Sequence, residues 1–373
     1  MSAGVRSLYG EMHLFEGTTA NEVWLKAASE FENSEDVHTQ SSRAGQTKEL
    51  LGAAFCIHDP RQRWVTSREP SINPAFAIAE VVWIVSGRQD AAFLNYWNPK
   101  LPHFAGTGKT YHGAYGYRIR KNLGLDQLDR AYQALRQNPD TRQVVLQIWD
   151  STIDFPNLDG SPAAQDIPCN ICSFAKIRNG KLEWTQILRS NDLFLGVPHN
   201  FVQFTSLQEI LAAWLDVEVG HYRHVADCLH IYERDQDNVA SSGKITPLKN
   251  PGVLRFSKAE SDIFFAEISK RMSRMTGMML NQRTLRHLAH EADLPQELCN
   301  WLLIVAADCA RRHRWIDLAY ELMSTCSNPA LQQLWERWLA RWWHARQEET
   351  VSSEAVIYAQ PWLPMQFGQV CPS

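Results

Sequence analysis

Residues 167–200 read IPCNICSFAKIRNGKLEWTQILRSNDLFLGVPHN, and this stretch decides the fold. Two runs, IPCNICSFAKI and KLEWTQILRS, flank Arg178-Asn179-Gly180. Asn-Gly suits the two positive-φ positions of a type I′ turn, so the runs are predicted to pair as a β-hairpin. Beyond it, Val197 to Leu215 opens with Pro198 and stays apolar at helical spacing, and LHIYERD from Leu229 reads as a further strand. Upstream, Asn138-Pro139-Asp140-Thr141-Arg142 forms a turn leading into the strand-like run VVLQIW, and a Pro/Gly/Asp-rich loop covers Phe155 to Pro162. Pro74 to Gly87 is apolar apart from Glu80 and reads as a buried helix closed by Gly87. The expected architecture is α+β over residues 1–243.

From Ser257 to His344 the sequence turns to helix formers and paired charges, so residues 244–373 are expected to form a helical C-terminal region. Trp335, Trp338 and Trp342 share a stripe that serves either a partner or, as apolar stripes ordinarily do, a helix-bundle core. No internal repeat or low-complexity tract interrupts the chain.

The whole chain has 373 residues, 45% hydrophobic and 21% charged, with a formal net charge of −4. That charge provides no global attraction for nucleic acid or an anionic membrane, so recognition of a small anionic ligand must rest on a few placed arginines. Eight cysteines without a dense framework, and no apolar signal segment, point to a reducing cytoplasmic setting. Charged and polar residues interrupt every apolar run before the roughly 20 residues a bilayer span needs.

Pro168-Cys169-Asn170 carries little information by itself, because a strand cysteine is commonly a small buried hydrophobe. Cys169 and Cys172 form a CxxC, yet no second pair stands at zinc-finger spacing, and residues three apart on a strand face opposite sides. Metal and disulfide-exchange readings are therefore set aside.

The run Arg189-Ser190-Asn191-Asp192-Leu193-Phe194-Leu195-Gly196-Val197-Pro198-His199-Asn200 gives Cys169 another meaning, since it resembles the nucleotide-binding signature of thymidylate synthases. The likeness continues in His230-Ile231-Tyr232, Tyr115-Gly116, Glu80 with VVWIVSG, Arg43 with Gly45, and Thr141-Arg142, in the family's order. It spans roughly residues 8–235 and implies a mixed sheet packed with helices. It also implies one-carbon transfer from 5,10-methylenetetrahydrofolate to C5 of a pyrimidine nucleotide monophosphate, within a homodimer that shares its active sites.

By this resemblance Cys169 adds to C6, making C5 enolate-like and nucleophilic. Arg189 favours the thiolate and, with Arg43 and Ser190, binds phosphate, while Arg142 reaches across from the second subunit. His230 and Tyr232 bond the sugar hydroxyl. Asn200 offers the donor and acceptor that match O4 and N3–H of uracil, where cytosine-using relatives carry Asp. Glu80 becomes a water-ordering proton shuttle, its apolar surroundings suiting acid–base work. Tyr115 assists proton removal from C5, Asp192 holds the pterin, and Trp97 is expected to pack beside it.

The sequence departs from the family at Asn170 (usually His), Gln143 (usually a second Arg), Leu188 (usually Gln) and Asp166 (usually apolar). The family's closing C-terminal tail is replaced by the helical region and an ending that contains PWLPMQF. A more polar, more open cavity favours water over hydride at the exocyclic methylene intermediate, hence a 5-hydroxymethyl product. The alternatives are methyl transfer giving dTMP, and a nucleotide- or RNA-binding regulator that has lost turnover.

Overall fold

A computed structural model describes residues 12–42, 45–243, 245–277, 279–290 and 293–349. Eight strands form one mixed sheet: β1 (His13–Gly17), β2 (His38–Ser42), β3 (Gly45–Ile57), β4 (Val145–Gln147), β5 (Asn170–Arg178), β6 (Lys181–Leu188), β7 (Asn191–Asp192) and β8 (Glu218–Tyr232). Their order is β1-β3-β8-β6-β5-β4, with β2 added to β3 and β7 to β8. The expected β5–β6 hairpin is present, with Asn179 at φ 50° and Gly180 at φ 70°, the double left-handed geometry of a type I′ turn.

The register separates the two faces of the sheet. Leu146, Ser173, Gln186, His224, Phe55 and Phe15 stand side by side across six strands, and all are buried. One residue along, the opposite face presents Gln147, Cys172, Ile187, Val225, Ala54 and Leu14, each at least partly exposed. The inner row admits polar side chains because they bond one another. Ser173 donates to Gln186 Oε1 at 2.6 Å, and His224 meets Asn191 at 2.8 Å and Tyr222 at 3.0 Å.

Helices Ala20–Asn33, Pro74–Val85 and Val197–Trp214 are buried along much of their length, and the two later ones match the expected spans closely. Asn73 caps the second by accepting from Phe76 N, and Gly87 at φ 59° ends it. Glu80 is the sole residue of that helix not fully buried.

The C-terminal region is helical as expected: 258–275, 282–290, 296–312, 316–324 and 329–349. These helices do not keep a core to themselves, since one continuous apolar cluster runs from Phe15 to Leu339. Polar ties reinforce it. Arg312 donates to the Trp97 carbonyl at 2.7 Å, Arg88 to Ser269 and Ser273 at 3.0 Å each, and Leu254 N to Glu209 at 3.1 Å. Trp335 and Trp338 are core residues, while Trp342 remains 40% exposed. Among the described residues no helix is long and apolar enough to cross a membrane.

Candidate active site

Cys169 stands immediately before β5, where the neighbouring strand ends. The Arg189 amide donates to the Cys169 carbonyl at 3.0 Å, and its guanidinium donates to the carbonyls of Pro168 at 3.1 Å and Ile167 at 3.2 Å. One arginine therefore clamps the segment that carries the thiol, and its charge lies beside that segment. All seven described cysteines are outside disulfides.

Glu80 has a partner that sequence reasoning missed: its Oε2 lies 2.7 Å from His199 Nδ1. The two residues are 119 positions apart, and only the packing of helix 74–85 against helix 197–214 unites them. His199 also packs on Phe76, ring centroids 5.0 Å apart. Tyr115 occupies a short helix, Tyr115–Tyr117, that crosses helix 74–85. Burial, with the electrostatic influence of Cys169, Asp166 and Glu80, pushes its phenol above the ordinary range, so it acts as a neutral hydroxyl.

The residues expected to bind sugar and phosphate gather on and beside β7 and β8. Asp192 pairs in register with His230, and Ser190 Oγ lies 3.3 Å from His230 Nδ1. Burial, with the positive charge of Arg189, pushes the imidazole down to about 4, so His230 is neutral at physiological pH and keeps both donor and acceptor character. The Tyr232 ring stands perpendicular to it, centroids 5.5 Å apart, and burial raises the phenol. Asn200, buried in the first turn of helix 197–214, donates to Gln203 at 3.0 Å, which orients its amide.

Asp192 accepts the amides of Phe194 and Leu195 on Oδ1, both at 2.8 Å. Burial outweighs these bonds and pushes its carboxyl up to about 6. Oδ2 accepts no hydrogen bond among the described residues. Trp97, expected beside a cofactor, is instead fully buried, with Asn73 and Arg312 on its carbonyl, and has no exposed surface to offer one. The apolar pattern around it signalled a core residue.

Arg142 is exposed on the turn leading into β4, with Gln143 exposed beside it. Arg43 lies outside the described residues. Asn170 is fully buried and accepts from Gln186 at 2.9 Å, while its amide nitrogen has no hydrogen-bond partner among the described residues. Among the described residues, one group of potential metal ligands lies within 4.8 Å of one another, Glu16, Cys56 and His58, carried by β1, β3 and the residue after β3 rather than by the Cys169 segment.

A thiol at a strand end, an acid–histidine pair, a neutral phenol and a Ser-Asn-Asp strand beside His-Ile-Tyr define the class. The chain belongs to the thymidylate synthase family, whose model matches residues 33–271. It is 34% identical over 235 residues to the deoxyuridylate hydroxymethyltransferase of Bacillus phage SP01, covering 60% of each chain. It is 35% identical over 183 residues to the protein of the same name from Pseudomonas phage M6, covering 48% of this chain and 51% of that one. The thymidylate synthase of Clostridium beijerinckii is 30% identical over 165 residues, 44% of this chain and 59% of that one. The chain thus spans between half and three-fifths of the length of these relatives.

Proposed function

We propose that this protein transfers a one-carbon unit from 5,10-methylenetetrahydrofolate to C5 of dUMP through a Cys169–C6 adduct, giving 5-hydroxymethyl-dUMP. The observation that carries the reading is that the Cys169 segment held by Arg189, the Glu80–His199 pair and the neutral Tyr115 phenol, on which both Cys169 and Glu80 act electrostatically, accompany the strand pair that bears Asp192, His230 and Tyr232. The phage relatives named deoxyuridylate hydroxymethyltransferase support the product.

In this mechanism Arg189 binds phosphate while holding the Cys169 segment in place, and neutral His230 and Tyr232 take the sugar hydroxyl. Asn200 presents both halves of its amide to O4 and N3–H of uracil. Cys169 attacks C6, and C5 becomes the nucleophile. Bound methylenetetrahydrofolate supplies the carbon at the oxidation level of formaldehyde. Glu80, oriented by His199, orders the water that relays protons to and from O4, and Tyr115 orients the water that removes the C5 proton. Asp192 holds the pterin through Oδ2.

A homodimer completes the site in this reading, with Arg142 of one subunit donated to the phosphate of the other. Its exposure at the edge strand suits that role, as does the uncovered apolar row Cys172, Ile187, Val225, Ala54 and Leu14. The similarity to a protein named thymidylate synthase favours a second reading, in which the methylene is reduced and dTMP is released.

Tritium release from 5-tritiated dUMP in the presence of methylenetetrahydrofolate tests the chemistry common to both. Release no greater than that of a Cys169→Ala variant would sink the enzyme reading, and mass spectrometry of the product separates hydroxymethyl from methyl.

A further inference from the structure

Asp166 stands three residues before Cys169, on the same clamped segment. Its Oδ2 accepts the Gly113 amide at 2.8 Å, and its Oδ1 accepts no hydrogen bond among the described residues. Gly113 and Asp166 are pressed together: a Cβ on Gly113 would lie 3.1 Å from the carboxyl carbon and from Oδ1. The Asp166 charge acts on the phenols of both Tyr111 and Tyr115. Behind it, Arg118 donates to both oxygens of the fully buried Asp154, at 2.6 and 2.9 Å, and His112 lies 2.7 Å from Asp154. This cluster fixes the backbone of residues 112 and 113 through Arg118 bonds to the His112 carbonyl at 3.0 and 2.8 Å.

A half-buried carboxylate with one oxygen unengaged among the described residues can hold a water molecule there. Burial raises its affinity for a proton, against the Gly113 bond and the nearby charges of His112 and Arg118. A carboxyl of that kind, fixed by the Gly113 amide three residues before the nucleophile, suits a base working on water.

We propose that the Asp166 carboxylate accepts a proton from the water that attacks the exocyclic methylene carbon and so sets hydroxymethyl over methyl, a role that rests on the hydroxymethyl-transfer reading. As the water oxygen bonds to the methylene carbon, the C=C pair moves into the ring as an enolate and one water proton passes to Asp166. Collapse of the enolate re-forms C5=C6 and breaks the C6–Sγ bond, returning its electron pair to Cys169. Asp166 then gives its proton to solvent. No oxidant or reductant takes part, in contrast to methyl formation, where tetrahydrofolate loses hydride.

The test compares wild-type protein with Asp166→Asn and Asp166→Leu, scoring tritium release and product identity in the same reactions, with an added small thiol as a competing trap for the methylene. Tritium release precedes the water step, so it should stay within about threefold of wild type. Hydroxymethyl product per tritium released should fall by about a hundredfold, the usual scale for loss of a general base, with dTMP or the thiol adduct taking its place. Asp166→Asn preserves shape and carries the test if Asp166→Leu fails to fold. If wild type hydroxymethylates and both variants keep its ratio of products to tritium, Asp166 is not the base, although the reading of function stands. If wild type makes only dTMP, the reading itself falls, and this inference with it.

Discussion

Gly116 lies against Ile84 so closely that a Cβ on the glycine would fall 2.3 Å from the Ile84 carbonyl oxygen. The Tyr-Gly pair is thus a packing requirement as much as a motif, since only glycine lets the Tyr115 helix meet the helix carrying Glu80. Gly116→Ala should destabilise the fold by about 1–3 kcal/mol, the usual cost of overpacking. It should also lower kcat by up to about a hundredfold through a displaced Tyr115. Thermal unfolding and steady-state rates measure the two, and a variant matching wild type in both would show that the contact relaxes without consequence.

In the proposed mechanism the Glu80–His199 pair serves the chemistry rather than binding. Glu80→Gln should reduce kcat by about 10²–10⁴-fold as a lost acid–base group, with dUMP affinity little changed. His199→Ala should cost less, because the carboxyl remains but loses its 2.7 Å partner. Equilibrium binding beside single-turnover rates distinguishes the effects. Equal losses of affinity and rate would assign the pair to substrate binding instead.

Asn200 is held by Gln203, so its amide is oriented before substrate arrives. Asn200→Asp removes the donor, and the preference in kcat/KM for dUMP over dCMP should fall by at least about tenfold. An unchanged ratio would mean that the base is read elsewhere.

His230 and Asp192, paired in register, titrate in opposite directions, at about 4 and about 6 against ordinary values of 6.5 and 3.8. As pH falls from 6.5 toward 4, the unfolded chain takes up the histidine proton before the folded one does, so His230 withdraws stability. Asp192 takes its proton earlier in the folded state, so over the same window it restores stability that is lost again as pH rises through 6. The two largely offset. Asp192→Asn should therefore lose stability more steeply than wild type between pH 6.5 and 4, by about 2–3 kcal/mol, since each tenfold change in proton affinity on folding is worth about 1.4 kcal/mol. Denaturant midpoints at several pH values report this, and parallel declines would refute the coupling.

If Arg142 serves the partner's phosphate, Arg142→Ala and Cys169→Ala proteins should be nearly inactive apart and regain roughly a quarter of wild-type activity when mixed, the share expected from random reassortment of a two-site dimer. No recovery after subunit exchange would place Arg142 within its own subunit's site or outside both.

Legibility from sequence follows the range of the interactions. The β5–β6 hairpin is readable because Asn179 and Gly180 encode their own turn, and helix 74–85 because its apolar run is bounded by Asn73 and Gly87. Strand β3 and the part of β8 before Leu229 do not read as strands. Gly52 at φ 70° interrupts the alternation of β3, and β8 points His224 inward while Arg223 and Asp227 face outward. The Cys169 neighbourhood is legible through its motifs. The bonds from Glu80 to His199 and from Gly113 to Asp166 are not, because each joins segments that only the tertiary fold brings together.

The helices beyond residue 257 grip helix 74–85 and, through Arg312, the carbonyl of Trp97. An appendage of that sort is no longer optional cargo to natural selection. In a genetic screen for loss of activity, substitutions at Arg312 or along helix 296–312 would score alongside those at Glu80, although they lie in a stretch with none of the family's signature residues.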